Sequence, residues 1–244
     1  MKPYINTHAL NMLRLESARL GPLGMIAHRL SEEGLYEGAI IEGRIIVGRF
    51  QLTVSKDCEA SQVDLDLARL IQRVAAGEAK PWQFRLGPEG YMMLFLSHGA
   101  GGYRVVLEKA PSPRMPEAKR AAVFDSETLG PGDLFIATLL RPGRWRVTEA
   151  TSKTEGEIQV AYPKPAKTPL RPGAEVTTVK VTDGGFKPAK VKTGAAQGVI
   201  FAIESKQASL VIDLVDEDNG PTRQAPPKVR RRVRWQNPRS APGK

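Results

Sequence analysis

Turn residues recur at regular intervals beyond residue 120, and this spacing constrains the fold more than any other feature of the sequence. Glycine or proline interrupts short apolar runs about every 8–12 residues, an interval typical of a β-sandwich. The runs cover residues 122–124, 133–140, 144–149, 157–162, 175–182, 190–192, 199–205 and 210–215. Because 23 glycines and 19 prolines also favour strands and turns over helical bundles, we predict an all-β sandwich over residues 121–218.

The first 110 residues predict a mixed α+β domain. Two helices are expected near the N-terminus, one from Thr7 to about residue 20 and one over about residues 23–33. The best helical pattern begins at Ser61 and ends at Gly77, with apolar residues at helical spacing between them. Strands are expected at residues 38–41, 44–54, 82–86, 91–97 and 103–108.

A proline-rich segment separates these two parts. Three prolines fall between Ala110 and Pro116, where there is little to bury, so we predict a linker over residues 111–120. The predicted order is an α+β domain at 1–110, the linker, a cupredoxin-like or immunoglobulin-like sandwich at 121–218, and a basic tail at 219–244. A second Pro/Lys stretch at 163–169 leaves open whether the later strands form one sandwich or two. The sequence shows no exact internal repeat.

The C-terminal tail carries most of the net charge. Residues 221–244 contain eight basic side chains and no acidic one, whereas the whole chain has a net charge of +10. Guanidinium groups bind carboxylates and phosphates bidentately, and neighbouring apolar side chains add anchors. We therefore predict that the tail is either disordered or ordered by a partner. The predicted partner-binding residues are Lys228, Arg230, Arg231, Arg232, Arg234 and Trp235.

These features favour a non-enzymatic interaction or assembly subunit. The expected partner is an acidic protein surface within a larger complex. The first alternative is sequence-nonspecific binding of nucleic acid, in which the tail neutralises phosphates. An anionic membrane surface is a less favoured partner, and an enzyme with a carboxylate-based site is the second alternative. We expect no cofactor and no metal, and a cytoplasmic location, because the N-terminus lacks a continuous apolar segment. The oligomeric state is left open.

Few residues in the sequence are candidates for catalysis or metal binding. Cys58 is the one cysteine, so intramolecular disulfides and sites with several thiolates are excluded. A nucleophile pair of Cys58 with His28 or His98 is disfavoured, because the adjacent Asp57 and Glu59 oppose the thiolate. His8, His28 and His98 are too scattered to indicate a metal site. The loop 99–102 is expected to be a hairpin turn, and the acids at 213–218 a solvated strand end.

Two segments resemble parts of the cupredoxin fold. Residues 179–191 contain a Gly-Phe-Lys-Pro turn before an apolar strand, which is similar to the early cupredoxin hairpin. Residues 140–147, followed by 156–160, resemble the late hairpin. The order of the two segments is reversed, and the His, Cys and Met ligands of a copper site are missing from both. The resemblance therefore implies a β-sandwich scaffold without copper or electron transfer.

Overall fold

The computed structural model describes residues 6–77, 81–110, 122–162 and 176–218, and this part of the chain is β-rich. It contains two short helices, α1 (Thr7–Leu10) and α2 (Leu67–Ala75). The strands of the first part are β1 (Arg14–Glu16), β2 (Gly24–Leu30), β3 (Gly34–Glu42), β4 (Ile45–Val54), β5 (Gln62–Asp66), β6 (Trp82–Leu86), β7 (Gly90–Phe95) and β8 (Tyr103–Lys109). Those of the second part are β9 (Ala122–Asp125), β10 (Leu134–Thr138), β11 (Gly143–Glu149), β12 (Glu155–Ala161), β13 (Thr177–Thr182), β14 (Gly185–Lys187), β15 (Lys190–Gly194), β16 (Gly198–Ile203) and β17 (Leu210–Glu217).

The predicted α+β class of the N-terminal part is wrong. The first helix stops at Leu10, and residues 24–30, expected to be helical, form strand β2. This strand lies between β7 and β10 and hydrogen-bonds to both. Pairing with two neighbours thus outweighs the weak local preference of these residues for a helix.

The eight strands predicted beyond residue 120 are confirmed to within a few residues, and the description as sandwich-like is confirmed in this coarse form. The short strand β14 was not predicted. The predicted linker at 111–120 lies outside the described residues. Strands that come before it in the chain share sheets with strands that come after it.

The strands form three sheets that mix parallel and antiparallel pairs. The central sheet has seven strands in the order β14-β13-β16-β10-β2-β7-β5. Outer sheet I has the order β6-β4-β3-β8-β9, and outer sheet II has the order β1-β17-β11-β12-β15. One buried core connects all three sheets, with side chains such as Phe50 and Trp145 almost fully enclosed.

The chain folds as two lobes with the same strand topology. In lobe I, β2 pairs with β7, β3 with β4 and β8, β4 with β6, and β5 with β7. Lobe II repeats every pairing and its direction with β10, β11, β12, β13, β15, β16 and β17. Strand β2 pairs antiparallel with β10, so an approximate two-fold axis passes between them, perpendicular to the central sheet. Helix α2 occupies the place in lobe I that β14 occupies in lobe II.

Matching side-chain contacts support this duplication. The Tyr36 hydroxyl donates to the carbonyl oxygen of Glu32 at 2.6 Å. At the corresponding place in lobe II, the Trp145 indole N–H donates to the carbonyl oxygen of Arg141 at 3.0 Å. Each of the two aromatic residues is 1% exposed, and each donates its hydrogen bond to the residue four positions earlier. The two lobes therefore use one local design with different residues.

The lobes exchange one strand each. Strand β1 precedes lobe I but pairs with β17 of lobe II, and β9 precedes lobe II but pairs with β8 of lobe I. An ion pair accompanies each exchange: Arg14 contacts Asp213 at 3.1 Å, and Arg104 contacts Asp125. Burial raises the pKa of Asp125, but hydrogen bonds from Arg104 and the backbone outweigh burial and lower it. Each exchanged strand therefore connects the outer sheet of one lobe to the chain segment that precedes the other lobe.

Candidate interaction face of the central sheet

The predicted partner-binding residues of the tail, Lys228 to Trp235, lie outside the described residues. A second candidate surface, which sequence reasoning missed, is the face of the central sheet that points away from the core. Ile26 and Phe135 lie directly opposite each other on β2 and β10 and are both buried. Residues paired directly across two strands point to the same side of a sheet, and both residues belong to the core that connects the three sheets. Both outer sheets therefore pack on the same side of the central sheet.

The opposite side of the central sheet carries two rows of mainly apolar side chains. The first row follows the strand register Asp64, Met93, Ala27, Leu134, Ala202 and Lys180. The second row follows Asp66, Phe95, Met25, Ile136, Ile200 and Thr178. Both rows cross from one lobe to the other through the β2–β10 pair. We call this surface the open face.

The large apolar side chains of the open face are partly exposed, whereas their neighbours on the core side are buried. Ile136 and Ile200 are partly exposed, while Phe135 and Phe201, one position earlier and later, are 0% and 1% exposed. None of the open-face residues belongs to the partly buried groups packed against the core in the described part of the chain. Ala27 is 2% exposed because the larger Met93 and Leu134 flank it in the row.

The sequence contains a signal for this face. Residues 91–96 and 199–203 are continuous apolar runs, not alternating ones. Such runs are typical of strands that are buried on both faces. The described residues supply a cover for one face only, so the composition of these strands fits a second covering layer.

The outward surface of outer sheet II is different. Its register aligns side chains of alternating charge across all five strands: Arg14, Asp213, Arg146, Glu157 and Lys190. Four of these residues are paired in contacts of 3.1 to 4.0 Å, Arg14 with Asp213 and Lys190 with Glu157. A row of charged side chains that pair with one another is compatible with exposure to solvent. The apolar rows of the open face are not.

The two ends of the open face differ in charge. On β5, the Asp64 carboxylate accepts a hydrogen bond from the Gln62 amide at 2.7 Å, and Asp66 pairs with Arg69. At the other end, Lys180 and Lys187 lie directly opposite each other on β13 and β14. Lys180 pairs with Glu204 at 2.7 Å. Counting these groups leaves an excess of one negative charge on the β5 end and one positive charge on the β13–β14 end.

The histidines and Cys58 do not converge. The His28 Nδ1 lies 2.6 Å from the Asp133 carboxylate, and its ring lies against Phe124 with centroids 4.5 Å apart. Its Nε2 is buried and has no hydrogen-bond partner in the described part. His98 bonds to Gln72 at 2.5 Å and to Ser97 at 2.8 Å. Neither ring bonds to Cys58, so the disfavoured nucleophile pair does not form in these contacts.

The acids near the end of β17 contact arginines of the same chain. Asp213 pairs with Arg14 and Glu217 pairs with Arg141 at 2.9 Å. Within residues 6–77, 81–110, 122–162 and 176–218, no group of three or more His, Cys, Asp or Glu side chains is placed to hold a metal ion. The loop 99–102 joins β7 of the central sheet to β8 of outer sheet I, so the predicted hairpin turn is wrong: two strands flank the loop, but they pair with other strands and not with each other.

An aromatic cleft lies beside the β5 end of the open face. Trp82 and Phe84 stack with centroids 5.7 Å apart, and the Arg73 guanidinium lies 4.3 Å from the Trp82 ring centroid. The cleft has a volume of about 320 Å³ and is also lined by Asp64 and Phe95. Trp82 and Phe84 pack against the margin of the lobe I core, so the cleft lies at the edge of the sandwich.

Comparison with family models, with curated proteins and with solved structures finds no match to this chain. The segments that resemble cupredoxin hairpins fall on β11–β12 and on β13–β15, and that resemblance stays a prediction. None of the helices in the described ranges is long and apolar enough to span a bilayer.

Proposed function

We propose that this protein is a non-enzymatic interaction or assembly subunit that docks onto an anionic partner of a larger complex through its arginine-rich tail. The observation that carries the proposal is the open face, an apolar surface that spans both lobes. Exposed apolar surfaces of this kind mark sites of association. The tail adds the charge preference, because eight basic side chains lie in residues 221–244. A cytoplasmic location belongs to the same proposal.

The tail supports a shaped acidic protein surface as the partner. Its dense block, Lys228 to Arg234, contains four arginines and one lysine. Arginine presents a planar fork that matches a carboxylate bidentately, whereas lysine is a single point charge. The body of the chain is almost neutral, with 28 basic and 26 acidic side chains outside residues 221–244, so eight of the ten net positive charges lie in one segment.

Co-purification tests this proposal. The full chain and a chain that ends at Asp218 would each be used to capture partners from native cells, followed by elution at rising salt. We expect an acidic protein to elute from the full chain as salt screens the contact. The truncated chain should remain folded and lose that protein. Recovery of the same partner by both chains at the same salt concentration would refute the role of the tail.

Nucleic-acid binding is the second candidate, and the same eight cationic side chains favour it. Neutralising phosphates makes affinity fall steeply with salt, whichever basic residue supplies the charge. Replacing Arg230, Arg231, Arg232 and Arg234 together by lysine separates the two candidates. Binding to an acidic protein surface should weaken markedly, whereas binding to nucleic acid should persist with a similar salt dependence.

A further inference from the structure

We propose that the open face binds the open face of a second copy of this chain, forming a two-fold dimer in which lobe I of one copy lies over lobe II of the other. The inference builds on the proposed role as an assembly subunit and names the first partner in that assembly. Two surfaces of the molecule differ: the outward row of outer sheet II is charged and paired, whereas the two rows of the open face are mainly apolar.

The shape of the face suits another sheet. It is part of a continuous seven-stranded sheet, and sheets pack face to face at about 10 Å with their strands roughly aligned. Six intervals of about 4.8 Å and a strand length of about 17 Å give a flat footprint of about 500 Å² per copy. Stable interfaces bury about 600–1,000 Å² of accessible surface per partner. The protruding side chains add accessible area to the flat footprint and bring this face close to that range.

The opposite charges at the two ends of the open face determine the direction of the two-fold axis of the dimer. A two-fold interface is self-complementary: if residue i of one copy contacts residue j of the other, then j also contacts i. An axis parallel to the strands places the β5 end of one copy over the β13–β14 end of the other. Asp64 then faces Lys180 and Lys187 in two equivalent places. An axis perpendicular to the strands would place like charges together, which opposes association.

The approximate symmetry of the monomer supports the same arrangement. Met25 and Ile136 lie opposite each other on β2 and β10, next to the axis that relates the lobes. Lobe I contributes Met93 and Phe95 to the rows, and lobe II contributes Leu134 and Ile200. Since each half of the face is apolar in the middle, turning a copy around keeps apolar groups over apolar groups.

Sedimentation velocity over a range of concentrations tests the proposal. The full chain should sediment as a dimer, and Ile136→Lys should raise the dissociation constant about 100-fold or more, because each dimer would bury two unpaired charges. Val211→Lys is the matched control. Val211 is also a partly exposed β-branched residue of a strand, the second residue of β17, but it lies on the outward surface of outer sheet II, opposite Thr148 and Glu16. It should leave the dimer unchanged.

Three outcomes decide the matter. Ile200→Lys, on the neighbouring strand of the same row, should reproduce the effect of Ile136→Lys while thermal unfolding shows that both variants are folded. A wild-type chain that is monomeric at all concentrations would overturn the dimer; if its tail still captured an acidic partner, the proposed function would survive. A dimer that Val211→Lys disrupts and Ile136→Lys does not would place the interface on outer sheet II and refute the inference.

Discussion

The hydroxyls of Ser17 and Ser126 should contribute equally to stability if the two lobes share one design. Each serine comes directly after an exchanged strand, β1 or β9, and is 0% exposed. The Ser17 Oγ accepts from the Leu210 N–H at 3.0 Å, and the Ser126 Oγ accepts from the Val105 N–H at 2.9 Å. The backbone N–H of each serine donates back to the same residue, at 2.9 Å in both cases.

Replacing either serine by alanine removes the acceptor and leaves a buried N–H without that partner. An unpaired buried donor costs about 1–3 kcal/mol, so each variant should lose about that much free energy of unfolding. For a chain of this size, 1 kcal/mol corresponds to a shift in Tm of about 2–4 °C. The two losses should agree within about 1 kcal/mol, and they should add in the double variant to within about 0.5 kcal/mol, because the sites share no partner.

Urea unfolding followed by circular dichroism measures these free energies. Ser61→Ala is the control, since Ser61 is exposed and its backbone oxygen, not its hydroxyl, accepts from Tyr91. It should change the free energy of unfolding by less than about 0.5 kcal/mol. A large loss for one buried serine and none for the other would refute the equivalence of the two anchoring contacts.

Three further predictions concern packing, pH and strand exchange. Gly38→Ala should cost about 1–3 kcal/mol, because its Cβ would lie 2.1 Å from the Phe50 ring; Gly130→Ala, with its nearest atom at 3.9 Å, should cost less in the same urea titration. Burial raises the pKa of Glu149, but backbone N–H donors of residues 151, 152 and 209 outweigh it and lower that pKa. The carboxylate therefore stabilises the fold above its unfolded pKa of about 4.3, so the stability gap to Glu149→Gln should be largest at pH 7 and shrink as pH falls through the folded pKa. A chain cleaved within 111–121 should elute as one species in gel filtration because β1 and β9 cross between lobes, and two separate fragments would contradict this.

The later strands could be predicted from sequence because their signal is local. In β11, Arg144 and Arg146 alternate with buried Trp145 and Val147, and turns bound the strand on both sides. The prediction of helices near the N-terminus was wrong because the structure of this segment depends on distant residues. Residues 24–30 form strand β2 through pairing with β7 and β10, which lie far away in sequence. The helical pattern after Ser61 was partly right, with helix α2 beginning only after strand β5, where the Asp66 side chain caps it.

The duplication and the open face required the structure. Corresponding positions hold different residues, such as Tyr36 and Trp145, so the repeat is one of topology and contacts. The continuous apolar runs of β7 and β16 could have indicated burial on both faces. They could not show which layer lies on either side, because that depends on where β3, β4, β11 and β12 pack.

The most direct test of the assembly is a cross-link between the two ends of the open face. In a Cys58→Ser background, Asp64→Cys and Lys180→Cys chains would be mixed and treated with a bismaleimide that spans about 10 Å, the packing distance of two sheets. We expect a cross-linked dimer in the mixture that joins residue 64 of one copy to residue 180 of the other, and little product from either chain alone. Equal cross-linking of the Asp64→Cys chain to itself would contradict the proposed orientation, and no cross-linked dimer in any sample would contradict the dimer itself.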